Sequence, residues 1–271
     1  MKFLKQLGLG VLDLLLPVRC LFCQKIVDTS RWNLPICRQD YVELPRLEAP
    51  ACQICGLPLE REFFYLSYDT SADPAPACGA CRQRENFISF TLAPFAFQGR
   101  MRKLIHAWKF GLNSNWGSFL GSLLVDSLPA KLPGGRWDYL VPIPLSGARR
   151  EERGFNQARQ LAAELARKYE IPVRMFLSKE KRTPAQALLV REERLKNPLG
   201  SFSCLNRRKI KNKSLLIVDD IYTTGATVRE AARALQKAGA RRTAVIVLAR
   251  SLPPPAGFAR DADAENWRDS F

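Results

Sequence analysis

The alternation of apolar and polar positions is most regular in residues 215–240, where an apolar run, a polar loop and an amphipathic segment follow one another. Residues 215–218 are apolar and end in two adjacent carboxylates, Asp219 and Asp220. An apolar run bounded by turn residues is typical of a buried parallel strand. Apolar positions then recur at helical spacing, namely Val228, Ala231, Ala232, Leu235 and Ala238. We predict a strand, a loop and a helix, with Gly239 placed to end the helix.

The same order of strand, polar loop and helix occurs a second time within residues 138–169. Residues 138–144 predict the strand, and a polar loop with three arginines follows it. Apolar positions at helical spacing come next, namely Phe155, Ala158, Leu161, Ala162, Leu165 and Tyr169. Short strands are also predicted at residues 87–97, 171–176 and 243–248, and helices at residues 1–16 and 99–110. Repeated strand–helix units indicate an α/β fold with a parallel sheet.

The loop after residue 220 has the composition of a phosphate-binding loop. Its hydroxyl donors are Thr223, Thr224 and Thr227. Gly225 allows the backbone to approach a ligand closely, and the following helix directs its free N–H groups at the loop. Asp219 and Asp220 would repel a phosphate, but they can accept hydrogen bonds from sugar hydroxyls. The combination predicts a ribose 5-phosphate site, and the alternative is a buried strand and an N-capped helix without a ligand.

Residues 219–227 have the pattern Asp-Asp-x-x-x-Thr-Gly-x-Thr, which resembles the phosphoribosyl diphosphate (PRPP) motif of type I phosphoribosyltransferases. The resemblance implies that Asp219 and Asp220 hold the 2- and 3-hydroxyls of the ribose. It also implies a cradle for the 5-phosphate made of Thr223, Thr224, Gly225, Ala226 and Thr227. Many members of that family have glycine at the position of Ala226, and alanine fits there if its φ stays negative.

Cationic side chains elsewhere in the chain are candidates for the diphosphate of PRPP. The loop after residue 145 carries three arginines, Arg149, Arg150 and Arg153. Guanidinium groups bind phosphate through two parallel hydrogen bonds, and the alternative is a solvated loop in which Glu151 and Glu152 pair with these arginines. Lys109 is a further candidate if its helix faces the diphosphate. The single histidine, His106, is more often structural than catalytic in such a position.

Seven of the eight cysteines lie in the first 81 residues, and their paired spacing indicates metal sites rather than disulfides. A complete second set, Cys52, Cys55, Cys78 and Cys81, predicts a structural zinc ion held by four thiolates. The first set contains Cys20, Cys23, Cys37 and Asp40. A zinc ion bound by three cysteines and Asp40 fits this first set, and so does a degenerate site without metal. One or two zinc ions are therefore expected, in a reducing cytosol.

Net charge and the N-terminus bear on partners and location. The formal net charge is +16 and the isoelectric point is near 9.8, which suggests a polyanionic partner, although a basic surface alone is weak evidence. Residues 1–16 predict an amphipathic helix that packs on the fold, with a peripheral membrane helix as the alternative. The run is too short to span a bilayer and has no small-x-small cleavage site. We expect a cytoplasmic protein without a signal peptide or an integral membrane segment.

The order of motifs along the chain resembles the ComF (ComFC/GntX-like) family of competence-associated proteins. Tandem cysteine knuckles precede VPIPL, RGFNQA, the run RTPAQ at residues 182–186, the pair Arg194 and Asn197, and VDDIYTTGAT. The resemblance covers roughly residues 11–250. It implies a type I phosphoribosyltransferase-like parallel sheet flanked by helices, with a small N-terminal zinc-ribbon domain. The limits expected are 1–86 for the helix and double zinc ribbon, 87–250 for the phosphoribosyltransferase-like domain, and 251–271 for a mobile tail.

The family resemblance further implies a role in natural transformation, single-stranded DNA as a ligand and a helicase-like ATPase as a partner. As an enzyme, the protein would bind PRPP with Mg²⁺ at Asp219 and Asp220, and Arg149 would stabilise the departing diphosphate. The alternatives are a nucleobase-salvage or other phosphoribosyltransferase, and a non-catalytic module that senses PRPP or holds nucleic acid. The basic run around Arg207, Arg208 and Lys209 is either a solvated edge or a track for a phosphate backbone.

Overall fold

The computed structural model describes residues 18–27, 36–59, 76–110, 116–145, 154–179 and 202–253. Its helices are α1 (Arg38–Val42), α2 (Gly79–Arg82), α3 (Gly99–Phe110), α4 (Trp116–Asp126), α5 (Gln157–Tyr169), α6 (Arg207–Ile210) and α7 (Ala226–Lys237). Its strands are β1 (Thr91–Leu92), β2 (Phe95–Ala96), β3 (Tyr139–Pro142), β4 (Leu177–Lys179), β5 (Phe202–Cys204), β6 (Ser214–Tyr222) and β7 (Arg242–Arg250). The predicted helix 1–16 and most of the predicted tail lie outside the described residues.

A parallel sheet carries the fold, with β6 between β3 and β7 and with β1 and β2 both paired to β7. The predicted strands at residues 138–144, 215–218 and 243–248 are confirmed. Strand β6 is longer than its apolar run, because Ile221 and Tyr222 continue in register with Ala249 and Arg250. The α/β class with a parallel sheet is confirmed.

Two predicted strands differ in detail from the structure. Residues 87–97 form two short strands rather than one, and Pro94, which has no N–H to donate, lies between them. Residues 171–176 contribute a single bridge, from Val173 to Leu140, and the strand itself is β4, which pairs antiparallel with β5. In both places the apolar run indicated burial correctly but could not specify the backbone pairing.

Helices cover both faces of the sheet. Alternate residues of β6 point to opposite sides and pack against a different helix on each. Leu216 and Val218 belong to one apolar cluster with Leu161 and Leu165 of α5. The other cluster contains Leu215, Ile217, Val228, Ala231 and Leu235, the last three from α7. A strand buried on both faces must be apolar at successive positions, which explains the run before Asp219.

Helix α7 ends as its sequence predicts. Gly239 has φ 97°, its N–H donates to the Gln236 carbonyl, and the Ala240 N–H donates to the Leu235 carbonyl. This pair of bonds is the Schellman arrangement, which requires a residue with positive φ and therefore favours glycine.

The cysteine-rich part packs along the β1–β2 edge of the sheet. Backbone bonds join Leu47 N–H to the Pro94 carbonyl and Thr91 N–H to the Gln53 carbonyl, and the Thr91 hydroxyl donates to the Ile54 carbonyl at 2.6 Å. The domain limits 1–86, 87–250 and 251–271 stay a prediction. Within the described ranges, no helix has the length and apolar character needed to cross a membrane.

Candidate PRPP site and zinc centres

The two adjacent carboxylates lie at the carboxyl end of β6, beside a cavity of about 420 Å³. The cavity is also lined by Lys109 of α3, Asn156 before α5, and Thr223 and Thr227 of the loop. Parallel strands end at the same edge of the sheet, and the helices that follow them direct their N-terminal N–H groups there. The side chains that we predict to bind the ribose and the phosphate therefore line the same cavity.

Lys109 forms an ion pair with Asp220, with Nζ 2.8 Å from Oδ2 and with both side chains less than one-fifth exposed. Backbone N–H groups hold one oxygen of each carboxylate: Asp220 N–H donates to Asp219 Oδ1, and Ile221 N–H donates to Asp220 Oδ1. Burial, and then the charge of Asp220, raises the pKa of Asp219 to about 8, while Lys109 acts in the opposite direction. Lys109 was predicted as a diphosphate ligand; the structure places it in the cavity but on the carboxylate.

The loop between β6 and α7 is tight, and it is held in place by Tyr222 and Arg229. Gly225 has φ 74°, and a Cβ there would overlap the phenol ring of Tyr222, so glycine is required on both counts. Thr224 Oγ1 accepts from the Ala226 N–H at 3.3 Å, and Arg229 Nη1 donates to the Thr224 carbonyl at 2.8 Å. Ala226 begins α7 without a positive φ, as its place in the motif requires.

The predicted diphosphate ligands Arg149, Arg150 and Arg153 lie outside the described residues, so that role stays a prediction. The residues on either side of their segment, Leu145 and Asn156, both line the cavity.

Three polar residues that line the cavity were not singled out by the sequence analysis as site residues, namely Asn156, Gln157 and Lys179. Asn156 caps α5, because its Oδ1 accepts from the Arg159 N–H and its Nδ2 donates to the Ile143 carbonyl at 3.0 Å. An asparagine immediately before an amphipathic helix is a recognisable capping signal within RGFNQA. Lys179 ends β4, and its position depends on a strand pairing that the sequence does not reveal.

The second cysteine set converges as predicted, with the sulfurs of Cys52, Cys55, Cys78 and Cys81 all within 4.8 Å of one another. The Cys55 and Cys78 sulfurs are 3.8 Å apart. A tetrahedron with zinc–sulfur bonds of about 2.3 Å has edges of about 3.8 Å, so the spacing fits a zinc ion. The hydrogen bond shared by Cys52 and Cys55 lowers the pKa of Cys52 to about 4 and raises the pKa of Cys55, so one sulfur of the pair ionises far more readily than the other.

The first set converges equally well, and Asp40 occupies the fourth corner. Its Oδ2 accepts from Cys20 Sγ and Cys37 Sγ, both at 3.0 Å, and Cys23 Sγ lies 3.7 Å from Cys37 Sγ. Oδ1 of Asp40 accepts from Arg100 Nε at 2.8 Å. The Cys37 hydrogen bond, assisted by Cys20 and Arg100, holds the pKa of Asp40 well below its usual range. An ionised carboxylate with one oxygen toward three cysteines and the other fixed by an arginine fits a zinc ligand.

Comparison with known proteins agrees with this two-part organisation. Residues 151–268 match the model of a phosphoribosyl transferase domain, and residues 11–82 match that of a double zinc ribbon domain. The competence protein ComFC of Bacillus subtilis (strain 168) is 29% identical over 210 residues, which are 75% of this chain and 79% of that protein. The chain is therefore similar to competence protein ComFC over three quarters of its length.

Two further relatives carry names of the same kind. The DNA utilization protein YhgH of Escherichia coli (strain K12) is 27% identical over 244 residues, covering 88% of this chain and 100% of that protein. Competence protein F of Haemophilus influenzae is 32% identical over 123 residues, covering 45% of this chain and 52% of that protein.

Two solved structures have partial likeness to the chain, a PRPP amidotransferase and an adenine phosphoribosyltransferase. Glutamine PRPP amidotransferase of B. subtilis is 19% identical with a TM-score of 0.35, covering 52% of this chain and 30% of that one. Adenine phosphoribosyltransferase of Thermoanaerobacter pseudethanolicus is 12% identical with a TM-score of 0.32, covering 51% and 82%.

Metal analysis of the purified protein tests the role of Asp40. We expect two zinc ions per chain, one after Asp40→Ala because the first site loses its fourth ligand, and two after Asp40→Cys. Glu43→Ala is the control, because Glu43 bonds Arg100 at 2.6 Å without belonging to the cluster, and this variant should keep both ions. Two ions retained by Asp40→Ala, or one in the unmodified protein, would contradict the assignment.

Proposed function

We propose that the protein binds PRPP together with Mg²⁺ in the cavity at the carboxyl end of β6 and acts on incoming single-stranded DNA during natural transformation. The observation that carries the first half is the convergence of Asp219, Asp220, the loop and Lys109 on one cavity. The names of the relatives, which refer to competence and DNA utilization, support the second half.

The ribose would bind through the carboxylates and the 5-phosphate through the loop. Backbone bonds and Lys109 fix the orientation of Asp220, so little side-chain freedom is lost when it accepts a hydrogen bond from a ribose hydroxyl. The hydroxyls of Thr223 and Thr227 and the backbone N–H groups at the start of α7 supply donors for a phosphate. Lys109 brings a positive charge to the cavity wall, where it also offsets the two adjacent carboxylates.

Transfer of the phosphoribosyl group breaks the bond between ribose C1 and the diphosphate oxygen and forms a bond from C1 to the acceptor. Diphosphate carries away the bonding electrons, so the leaving group needs positive charge, which Arg149, Arg150 and Arg153 would supply. Mg²⁺ bound with PRPP adds to that charge. Release of diphosphate from PRPP, screened over nucleobases and with or without single-stranded DNA, separates a transferase from a non-catalytic PRPP sensor.

Nucleic acid would bind at the opposite end of the strands, where their amino ends lie. Helix α6 directly precedes the amino end of β6, and its Arg207, Arg208 and Lys209 are exposed. A cleft of about 780 Å³ opens at the same edge, and its cationic lining residues are Lys131, Arg136, Lys168 and Lys213. A phosphate backbone bound there would leave the PRPP cavity accessible. The helicase-like ATPase partner and the cytoplasmic location stay predictions from the family resemblance and the cysteine content.

Changing both carboxylates tests the PRPP site. Asp219→Asn with Asp220→Asn should weaken PRPP–Mg²⁺ binding by roughly 100-fold or more in titration calorimetry, because two charge-assisted hydrogen bonds to the ribose are lost. Asp126→Asn, at an exposed position that ends α4, is the control and should bind as the unmodified protein does. Equal affinity in the double variant would remove PRPP from this site.

The raised pKa of Asp219 predicts a pH dependence for PRPP binding. Below a pKa of about 8 the free protein carries a proton on Asp219, whereas the ionised form accepts hydrogen bonds better. Binding should therefore release a proton, and affinity should fall by up to about tenfold per pH unit below that pKa. Calorimetry at pH 7 in two buffers of different ionisation enthalpy measures the proton count. Absence of net release after correction for PRPP itself would contradict the prediction.

The basic edge is tested by the salt dependence of single-stranded DNA binding. Each phosphate contact contributes about −0.7 to the slope of log K against log salt concentration. Replacing Arg207, Arg208 and Lys209 with alanine should make the slope shallower by roughly 1–2 units. Lys103→Ala is the control, because it removes an exposed lysine of α3. An unchanged slope in the triple variant would exclude α6 from the DNA surface.

A further inference from the structure

A buried arginine at the end of β7 lies between the PRPP loop and the second cysteine cluster. Arg250 is 9% exposed. Its Nε donates to the Cys55 carbonyl at 3.0 Å, and its Nη1 donates to the carbonyls of Tyr222 at 3.2 Å and Thr223 at 2.6 Å. One guanidinium group thus contacts a predicted zinc ligand and two residues of the strand–loop junction.

The charge of Arg250 is compensated in an unusual way. Its hydrogen bonds within the described residues go to backbone carbonyls, including that of Ser251, and its guanidinium lies 4.6 Å from the centre of the Tyr222 ring. A buried cation requires compensating negative charge nearby. Four thiolates around one Zn²⁺ carry a formal charge of about −2, and Cys55 is one of them. The metal-bound cluster is therefore a suitable counter-charge for Arg250.

In the loop, Arg250 holds the two residues at which β6 meets the predicted phosphate-binding turn, Tyr222 and Thr223. It holds the carbonyls of Tyr222 and Thr223 and lies against the Tyr222 ring, which in turn packs directly beneath Gly225. Because a peptide unit is planar, fixing these two carbonyls also fixes the N–H groups of Thr223 and Thr224. A displacement of Arg250 would disturb the loop without touching any group that faces the ligand.

In the zinc ribbon, Arg250 contacts the turn between Cys52 and Cys55, which belongs to the second cysteine set. Cys55 follows Ile54, whose carbonyl accepts from the Thr91 hydroxyl, and Gly56, with φ 68°, ends the turn by donating to the Cys52 carbonyl. Zinc bound by Cys52 and Cys55 would fix this turn and with it the direction of the Cys55 carbonyl. Without the metal, Arg250 would lose both a fixed acceptor and its counter-charge.

We propose that Arg250 is a positioning residue through which occupancy of the Cys52–Cys55–Cys78–Cys81 zinc site controls the conformation of the PRPP loop. The proposal rests on the proposed function of the loop. Metal loss at this site lowers PRPP affinity, and by thermodynamic reciprocity bound PRPP raises the affinity of this site for zinc.

The full chain tests this with Cys81→Ser and Arg250→Gln, singly and combined. Cys81 belongs to the other knuckle, so its substitution removes a zinc ligand without changing residue 55 itself. Each single variant should bind PRPP roughly tenfold more weakly, the effect of one lost charge-assisted hydrogen bond. The amides of Thr223–Thr227 should also exchange hydrogen faster in each. Because both changes act through one link, the double variant should lose little more than either single variant.

Arg229→Gln is the matched control, because Arg229 bonds the same loop at the Thr224 carbonyl but has no described bond to the ribbon. Its effect should add to that of Cys81→Ser, and PRPP should still raise its zinc affinity in competition with a chelator, whereas Arg250→Gln abolishes that gain. Additive losses for Cys81→Ser with Arg250→Gln, or unchanged amide exchange in Cys81→Ser, overturn the proposal. If the unmodified protein does not bind PRPP, the proposed function fails, while amide exchange still decides the link between zinc and loop.

Discussion

The structure depends on the burial of β6 on both of its faces. Its residues Leu215–Val218 are fully buried between α5 on one side and α7 on the other, and its backbone is paired to β3 and β7. A strand in that position can present polar groups only at its ends. The carboxylates therefore collect at the carboxyl end with the loop and the start of α7, and the basic residues collect at the amino end.

Placing two carboxylates at a half-buried strand end has an electrostatic consequence. Asp219 and Asp220 repel each other, and their burial opposes ionisation, so the site needs a nearby cation in the absence of ligand. Lys109 supplies it from α3, whose other end is tied through Arg100 to Asp40 of the first cysteine set. Helix α3 thus packs its apolar side, including Leu104 and Trp108, in the core and uses its two ends for charge compensation. The same helix contacts both a metal cluster and the ligand cavity.

The sequence was most informative where one short segment carries all the determinants. Residues 215–240 combine a strand run, a capping glycine and a loop motif, and the structure confirms the strand, the helix and the Gly239 cap. The cysteine clusters were equally readable, because zinc ligation imposes fixed spacings, and Asp40 was identified by its spacing from Cys37. Lys109 was placed near the site, but its partner Asp220 depends on the packing angle of α3, which no local pattern encodes. Arg250 has no local signal, since it ends a strand with an ordinary pattern and acquires its role through contacts with Cys55 and Thr223.

The two edges of the sheet also differ in how they can communicate. At the amino edge, Asp138 accepts from the Ser214 N–H and from Lys213, so the start of β6 is fixed to the loop before β3. Displacing a fully buried strand as a unit would disrupt both apolar clusters, which is costly compared with the energy of binding a few phosphates. A ligand bound at the amino ends of the strands would therefore have little effect on the loop through β6. The ribbon is better placed to affect the loop, because it packs beside β7 and is joined to the loop by a single side chain, Arg250. The contacts of Arg250 with Cys55 and Thr223 therefore favour coupling of the loop to the ribbon over coupling to a nucleic acid at the amino ends of the strands.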